Sequence, residues 1–187
     1  EYFSGSPTAT TLYSAEYNSR QNPSVTNVYV LNCLFRSISS TSDGGALCCS
    51  SSVSYFLVES SSFFSCKTSA YGGGAIYFSN TNNGQCVLYG VCGNDCYSTY
   101  TGSKPHGQFV FVQVNDGASS KNYVNYSSVA RCIAASSTAY CTLYLCYGKI
   151  LCPSVNSSLN KCYGYSGILY WPFRDSSSFT CSLTYSS

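Results

Sequence analysis

The chain has 187 residues, enough for one substantial core without requiring a second domain. Only 9% of them are Asp, Glu, Lys or Arg, against about 25% in ordinary soluble domains. With a net charge of +2 and no basic cluster, the electrostatic footprint of a nucleic-acid binder is missing.

Thirteen cysteines are too many for a typical cytosolic protein, where thiols are reduced and sparse, and they point to a secreted or cell-surface chain. The odd count leaves at least one thiol free or paired between chains. Neither a methionine nor an apolar leader is present, as expected of a processed form or a segment of a longer polypeptide. No run of about 18 apolar residues occurs, so no membrane span is expected in this segment.

Residues 1–27 are polar, with one weak strand at Thr11-Leu12-Tyr13, and read as an entry or capping segment ahead of a repeat region over 28–187. From Val28 onward, short strands alternate with Ser, Asn and Gly turns, and no window has apolar residues at helical spacing. Each unit reads as three strands. The first has Val28–Asn32, Cys33–Ser37 and Gly45–Cys49; the clearest has Tyr55–Glu59, Ser62–Cys66 and Gly74–Phe78. Three further copies begin at Cys86, Tyr123 and Lys149, and a half-copy covers Thr180–Tyr185.

Gly45 to Gly74 and Leu34 to Phe63 are both offsets of 29 residues, and a period in this range is the mark of stacked repeats. The pattern predicts an all-β fold, a right-handed parallel β-helix of five to six turns. Alternate third-strand residues should share a face. The glycines put Leu47, Ile76, Phe109, Cys141 and Leu169 in one column, and Cys49, Phe78, Phe111, Leu143 and Trp171 in the next. In the second strand, Leu34, Phe63, Gly93, Val129 and Leu159 precede Ser37, Cys66, Cys96, Cys132 and Cys162 by three residues each. An insertion over Tyr97–His106 should protrude as a loop. An antiparallel sandwich with an accidental repeat could align one such column but hardly three.

Gly44-Gly45-Ala46-Leu47 and Gly73-Gly74-Ala75-Ile76, with Phe63-x-x-Cys66, Val129-x-x-Cys132 and Leu159-x-x-Cys162, resemble the repeats of polymorphic outer-membrane proteins of intracellular bacteria. They look closer still to the large surface repeat proteins of anaerobic parasitic protists. In those families a Gly-Gly-Ala-Ile/Leu/Val motif and a Phe-x-x-Asn motif mark each turn. The resemblance implies an extracellular role in adhesion or structure, carries over no catalytic residue, and suggests a cysteine ladder where the families have an asparagine ladder.

Stacked positions lie about 4.8 Å apart, within Cα reach of a disulfide, although parallel side chains strain a continuous crosslink. Cys66, Cys96, Cys132 and Cys162 are therefore either discrete pairs (Cys66 with Cys96, Cys132 with Cys162) or a column of buried thiols. Cys48 and Cys49 occupy successive strand positions, so Cys48 is the candidate outward or interchain thiol. Cys92-x-x-x-Cys96 could be half of a zinc site, but no second half exists and the single histidine is His106, so no metal is expected. Asn125-Tyr126-Ser127 and Asn156-Ser157-Ser158 are candidate N-glycosylation sequons.

β-helices also house sugar-cleaving enzymes, which need paired carboxylates or a carboxylate cluster for a cation. Glu59 and Asp95 fall on different strands, no two acids recur at stacked positions, and His106 sits in a loop, so neither catalysis nor a cofactor is expected. The glycine pairs lack the Gly-Lys-Ser/Thr ending of phosphate loops and read as tight corners. Two roles remain. Open solenoid ends normally need a polar cap, and its absence suggests a structural block of a surface layer or filament, associating with itself end to end. The alternative is an adhesin whose tyrosine-rich side or Tyr97–His106 loop contacts host glycans or proteins.

Overall fold

The computed structural model describes residues 2–3, 11–102, 107–133, 139–171 and 181–184. Strands β1 (Leu12–Tyr13) and β2 (Glu16–Tyr17) begin the coil. The next turn holds β3 (Asn27–Leu31), β4 (Leu34–Arg36), β5 (Ser39–Ser40) and β6 (Leu47–Cys49). It is followed by β7 (Tyr55–Glu59), β8 (Ser62–Phe64), β9 (Lys67–Thr68) and β10 (Ile76–Ser79), then by β11 (Gln85–Tyr89), β12 (Cys92–Asn94), β13 (Tyr97–Ser98) and β14 (Gly107–Gln113). Later turns hold β15 (Lys121–Asn125), β16 (Ser128–Ala130) and β17 (Cys141–Cys146), then β18 (Lys149–Pro153), β19 (Asn156–Ser158) and β20 (Tyr165–Trp171), before β21 (Cys181–Thr184).

Each strand pairs in parallel with its equivalent one turn away, giving sheets of seven (β1-β3-β7-β11-β15-β18-β21), six (β2-β4-β8-β12-β16-β19), five (β6-β10-β14-β17-β20) and three strands (β5-β9-β13). The fold is a parallel β-helix. About four regular turns stand where five to six were expected. Three of them carry a fourth short strand, where the sequence pattern had three strands throughout.

The interior is filled column by column. Val28, Phe56, Cys86, Asn122 and Ile150 stack on one line of the seven-stranded sheet, and Val30, Val58, Leu88, Val124 and Cys152 on the next. Each fully buried Phe, Leu, Ile or Val contributes about 1.5–3 kcal/mol, and all described members of these columns except Asn122 are apolar. The N-terminal stretch does not stand apart: β1 and β2 pair with β3 and β4, and the Tyr17 ring stacks on Phe35 with centroids 5.1 Å apart. Tyr2 and Phe3 pack on the outside of the seven-stranded sheet against Leu57 and Val87.

The third-strand columns need correction past the second turn. Ile76 pairs with Leu47 as expected, but its partner on the other side is Val110, with Leu143 and Ile168 beyond. Phe78 likewise continues to Val112, Leu145 and Tyr170. The slip comes from the glycines. Gly44 and Gly73 are the left-handed corner residues (φ +69° and +62°), while a Cβ on Gly45 would come within 1.9 Å of the Gly74 carbonyl oxygen. In the third copy the equivalent of Gly73 is Gly107, so Gln108 takes the place of Gly74, as the Gly74 N–H donating to the Gln108 carbonyl confirms (2.8 Å). A register shift between Gly107 and Val110 makes room for the larger residue.

Phe109 occupies the inward position that Ala46 and Ala75 hold in the two preceding turns. Phe35 and Phe63 are stacked with centroids 4.7 Å apart, and the next member of their column is Gly93. The Phe109 ring enters from across the coil, edge-on to Phe63 at 5.9 Å and over Gly93. One strand's missing side chain is replaced by a residue from another.

Candidate functional site

The side of the coil formed by β4, β8, β12, β16, β19 and the short strands β5, β9, β13 gathers most of the exposed chemistry. After each strand of the six-stranded sheet from β4 onward comes one residue with positive φ: Ser37, Ser65, Asp95, Arg131 and Leu159, at +51° to +56°. This left-handed residue turns the chain so that the next side chain points inward and the one after it outward. The inward set is Ile38, Cys66, Cys96 and Cys132, all buried, then Asn160; the outward set is Ser39, Lys67, Tyr97, Ile133 and Lys161.

The inward set brings Cys66, Cys96 and Cys132 onto successive turns and puts other residues at both ends. Cys66 donates its N–H to the Cys96 sulfur (3.4 Å), and each thiol reaches a carbonyl of the preceding turn: Cys66 to Phe35 (3.7 Å), Cys96 to Phe63 (3.5 Å). Burial holds the Cys96 thiol well above its ordinary pKa and pushes Cys132 up to about 12, so these two thiols stay protonated at neutral pH, whereas hydrogen bonding with Cys96 lowers Cys66. Cys162 is not the fourth member. The Cys132 N–H donates to Asn160 Oδ1 (2.8 Å), and Asn160 Nδ2 donates to the Val129 carbonyl (3.0 Å). The pairing of Val129 with Ser157 sets this register; Cys162 lies two residues further on, half-buried beside Thr142 (3.7 Å). At the other end the ladder position is Ile38 and not Ser37, because Phe35 and not Leu34 is the inward partner of Phe63.

Two serine hydroxyls, which the sequence pattern did not reveal, support the neighbouring corner on alternate turns. Ser61 Oγ accepts from the Cys33 N–H (3.0 Å) and Ser127 Oγ from the Val91 N–H (3.1 Å). Because Ser127 is buried in this role, the Asn125 sequon has its hydroxyl inside the protein, whereas Asn156 is exposed on the last strand of its sheet. Cys48 is only partly exposed. Burial raises its thiol pKa, with the Arg20 guanidinium acting in the opposite sense. Among the described side chains the exposed thiol is Cys92, which points outward while Cys96 points in, so the two do not converge on a common centre. His106 lies outside the described residues.

The outward set lines a shallow open cleft over β5, β9 and β13, bounded by Ser39, Ser40, Lys67, Thr68, Ser69, Tyr97 and Thr99. Tyr97, expected in a protruding loop, is thus a strand residue of this cleft. Three hydroxyls are spent on the backbone: Ser40 and Thr68 donate to the Ser42 carbonyl (3.2 and 2.6 Å), and Thr99 to that of Thr68 (3.2 Å). Among the described residues, Ser39 Oγ, Ser69 Oγ, Lys67 Nζ and the Tyr97 hydroxyl have no intramolecular partner. The two-residue strands that build this cleft are too short to leave a periodic signal.

Four acids of the described residues are dispersed and engaged. Glu16 pairs with Arg36 (3.5 Å), Glu59 accepts from the Tyr29 hydroxyl (2.7 Å), Asp43 accepts from the Gly72 N–H (2.8 Å), and Asp95 accepts from the Ser65 hydroxyl (2.8 Å). No group of three or more metal-ligating side chains occurs among the described residues, and no helix there is long and apolar enough to cross a membrane.

Residues 32–50, which hold β4, β5, β6 and the first Gly-Gly-Ala-Leu corner, match the Chlamydia polymorphic membrane protein repeat. No curated protein and no solved structure matches the chain, and the resemblance to protist surface repeats gains no support. The short match and the parallel coil together support β-helical repeats of the polymorphic outer-membrane type.

Proposed function

We propose that the protein is a non-enzymatic β-helical module of a cell surface or outer membrane that meets its partner through the side of the coil. The repeat match supports the location. The observation that carries the mode of action is the cleft over β5, β9 and β13, with a lysine, a tyrosine and two serines directed outward and unengaged. The engaged, scattered acids favour binding over sugar cleavage, which needs two facing carboxylates.

The end-to-end assembly expected from the sequence has less in its favour. The first turn consists of two-residue strands, flanked by the Glu16–Arg36 ion pair and by Pro23. Short strands, charge and proline are the means by which proteins keep a sheet edge from pairing with another copy. Sedimentation and negative-stain imaging of the purified chain at high concentration should give discrete particles, and labelled chain should bind host-type cell surfaces saturably. Filaments combined with no saturable binding would overturn the reading and restore the structural role.

A further inference from the structure

We propose that the cleft over β5, β9 and β13 binds an acidic polysaccharide lying along the coil axis, its carboxylate or sulfate groups meeting Lys67. This deepens the side-on binding function above and rests on it. Four features of the cleft select the ligand class. It is shallow and open, which suits a polymer passing across it better than an enclosed small molecule. Its polar groups recur from turn to turn, Ser39, Lys67 and Tyr97 occupying one register position in three successive turns, so a ligand with repeating units can contact each in sequence at a spacing of about 4.8 Å. The unengaged hydroxyls of Ser39, Ser69 and Tyr97 match sugar hydroxyls, and the half-buried Tyr97 ring offers an apolar face to a pyranose.

The charge requirement comes from Lys67. It is exposed in the middle of the cleft, and the single ion pair among the described residues lies elsewhere, between Arg36 and Glu16. Continuing the same column, Ile133 pairs with Lys161, and Arg131 occupies the adjoining corner, so apart from the mutually paired Arg36 and Glu16 the side carries Lys67, Arg131 and Lys161 against Asp95. This excess is positive but sparse. It lacks the density of cations that nucleic acid requires, and β9, the strand that carries Lys67, is paired on both sides, so a peptide cannot add beside it as a further strand.

Titration of the purified chain with a heparin-derived octasaccharide tests this, with a neutral dextran octamer and inorganic sulfate as comparators. The acidic octasaccharide should bind, and neither comparator should compete at equal concentration. Lys67→Ala should weaken binding about five- to tenfold, the loss of one charge-assisted contact. Lys67→Arg should retain it, and Lys149→Ala, on the seven-stranded sheet, should leave it unchanged. Circular dichroism of Lys67→Ala should match the parent, since the replaced side chain is exposed. No binding at about 1 mM, equal binding by Lys67→Ala, or competition by sulfate alone would overturn the proposal. If Lys67→Ala still binds cell surfaces as the parent does, the side-on function stands and the acidic ligand falls.

Discussion

At the scale of single residues, the coil depends on positions that break the usual preferences of their side chains. Among the described residues, eleven non-glycine residues have positive φ. Asn and Asp tolerate this region, but an ordinary side chain there costs about 1–2 kcal/mol, and Tyr126, Arg131 and Leu159 are among those that occupy it. The strain persists because the neighbours on either side are fixed by stacking. Asn160 is the clearest example of such a neighbour, since its amide satisfies one backbone N–H and one backbone carbonyl of the preceding turn together. Asn160→Ala would leave the Cys132 N–H and the Val129 carbonyl unpaired at a cost of about 1–3 kcal/mol. Denaturant unfolding should report that loss. Asn160→Cys should recover part of it, because a thiol serves the same post in the turns above. A midpoint unchanged by Asn160→Ala would mean that Asn160 is not a ladder residue.

At the scale of elements, the exchange between Gly93 and Phe109 is where one strand's composition depends on another's register. A Cβ on Gly93 would lie 2.5 Å from the Phe109 ring, so Gly93→Ala should destabilise by about 1–3 kcal/mol through overpacking. The ring can be trimmed in turn: combined with Phe109→Leu, the added methyl should cost much less than it does alone, a coupling that a double-mutant cycle measures. Simple additivity of the two changes would exclude the contact. The same region marks how far the sequence could be read. The Ile76–Leu47 pairing and the Cys66–Cys96–Cys132 ladder were legible because each copy there is flanked by unambiguous landmarks. The register failed at Phe109 because this turn has one glycine where the earlier turns have two, and Gly107 was aligned with Gly74 when it stands in the place of Gly73. It failed at Leu34 because Leu34 and Phe35 are both apolar and only three-dimensional stacking chooses between them. It failed at Cys162 because the spacing of cysteines hid Asn160, the residue type that the family resemblance called for at that very post. The cleft was illegible for a different reason, its strands being two residues long.

At the scale of the whole molecule, the low charge has a consequence for how the fold responds to pH. With one ion pair among the described residues, long-range charge attraction contributes little, and burial of neutral groups must carry the stability. Several of those neutral groups ionise at alkaline pH. Burial, followed by the hydrogen bond to Glu59, pushes the Tyr29 hydroxyl up to about 12; burial and the neighbouring Tyr89 do the same to Tyr2. Cys132 is raised to about 12 by burial. A neutral acid whose pKa is higher in the folded chain than in the unfolded one favours folding fully while the pH is below its unfolded value, about 10 for tyrosine and 8.5 for cysteine. That contribution is lost as the pH climbs through the folded value. The melting temperature should therefore be nearly flat from about pH 6 to 8, begin to fall as unfolded thiols ionise, and drop steeply between about pH 10 and 12. Absorbance at 295 nm on the folded protein should show part of the tyrosine population titrating late, and Tyr29→Phe should remove one late proton. If every tyrosine of the folded chain titrated together near 10, the packed outer face of the seven-stranded sheet, with Tyr2 and Phe3 laid across Leu57 and Val87, could not be as tight as its contacts require.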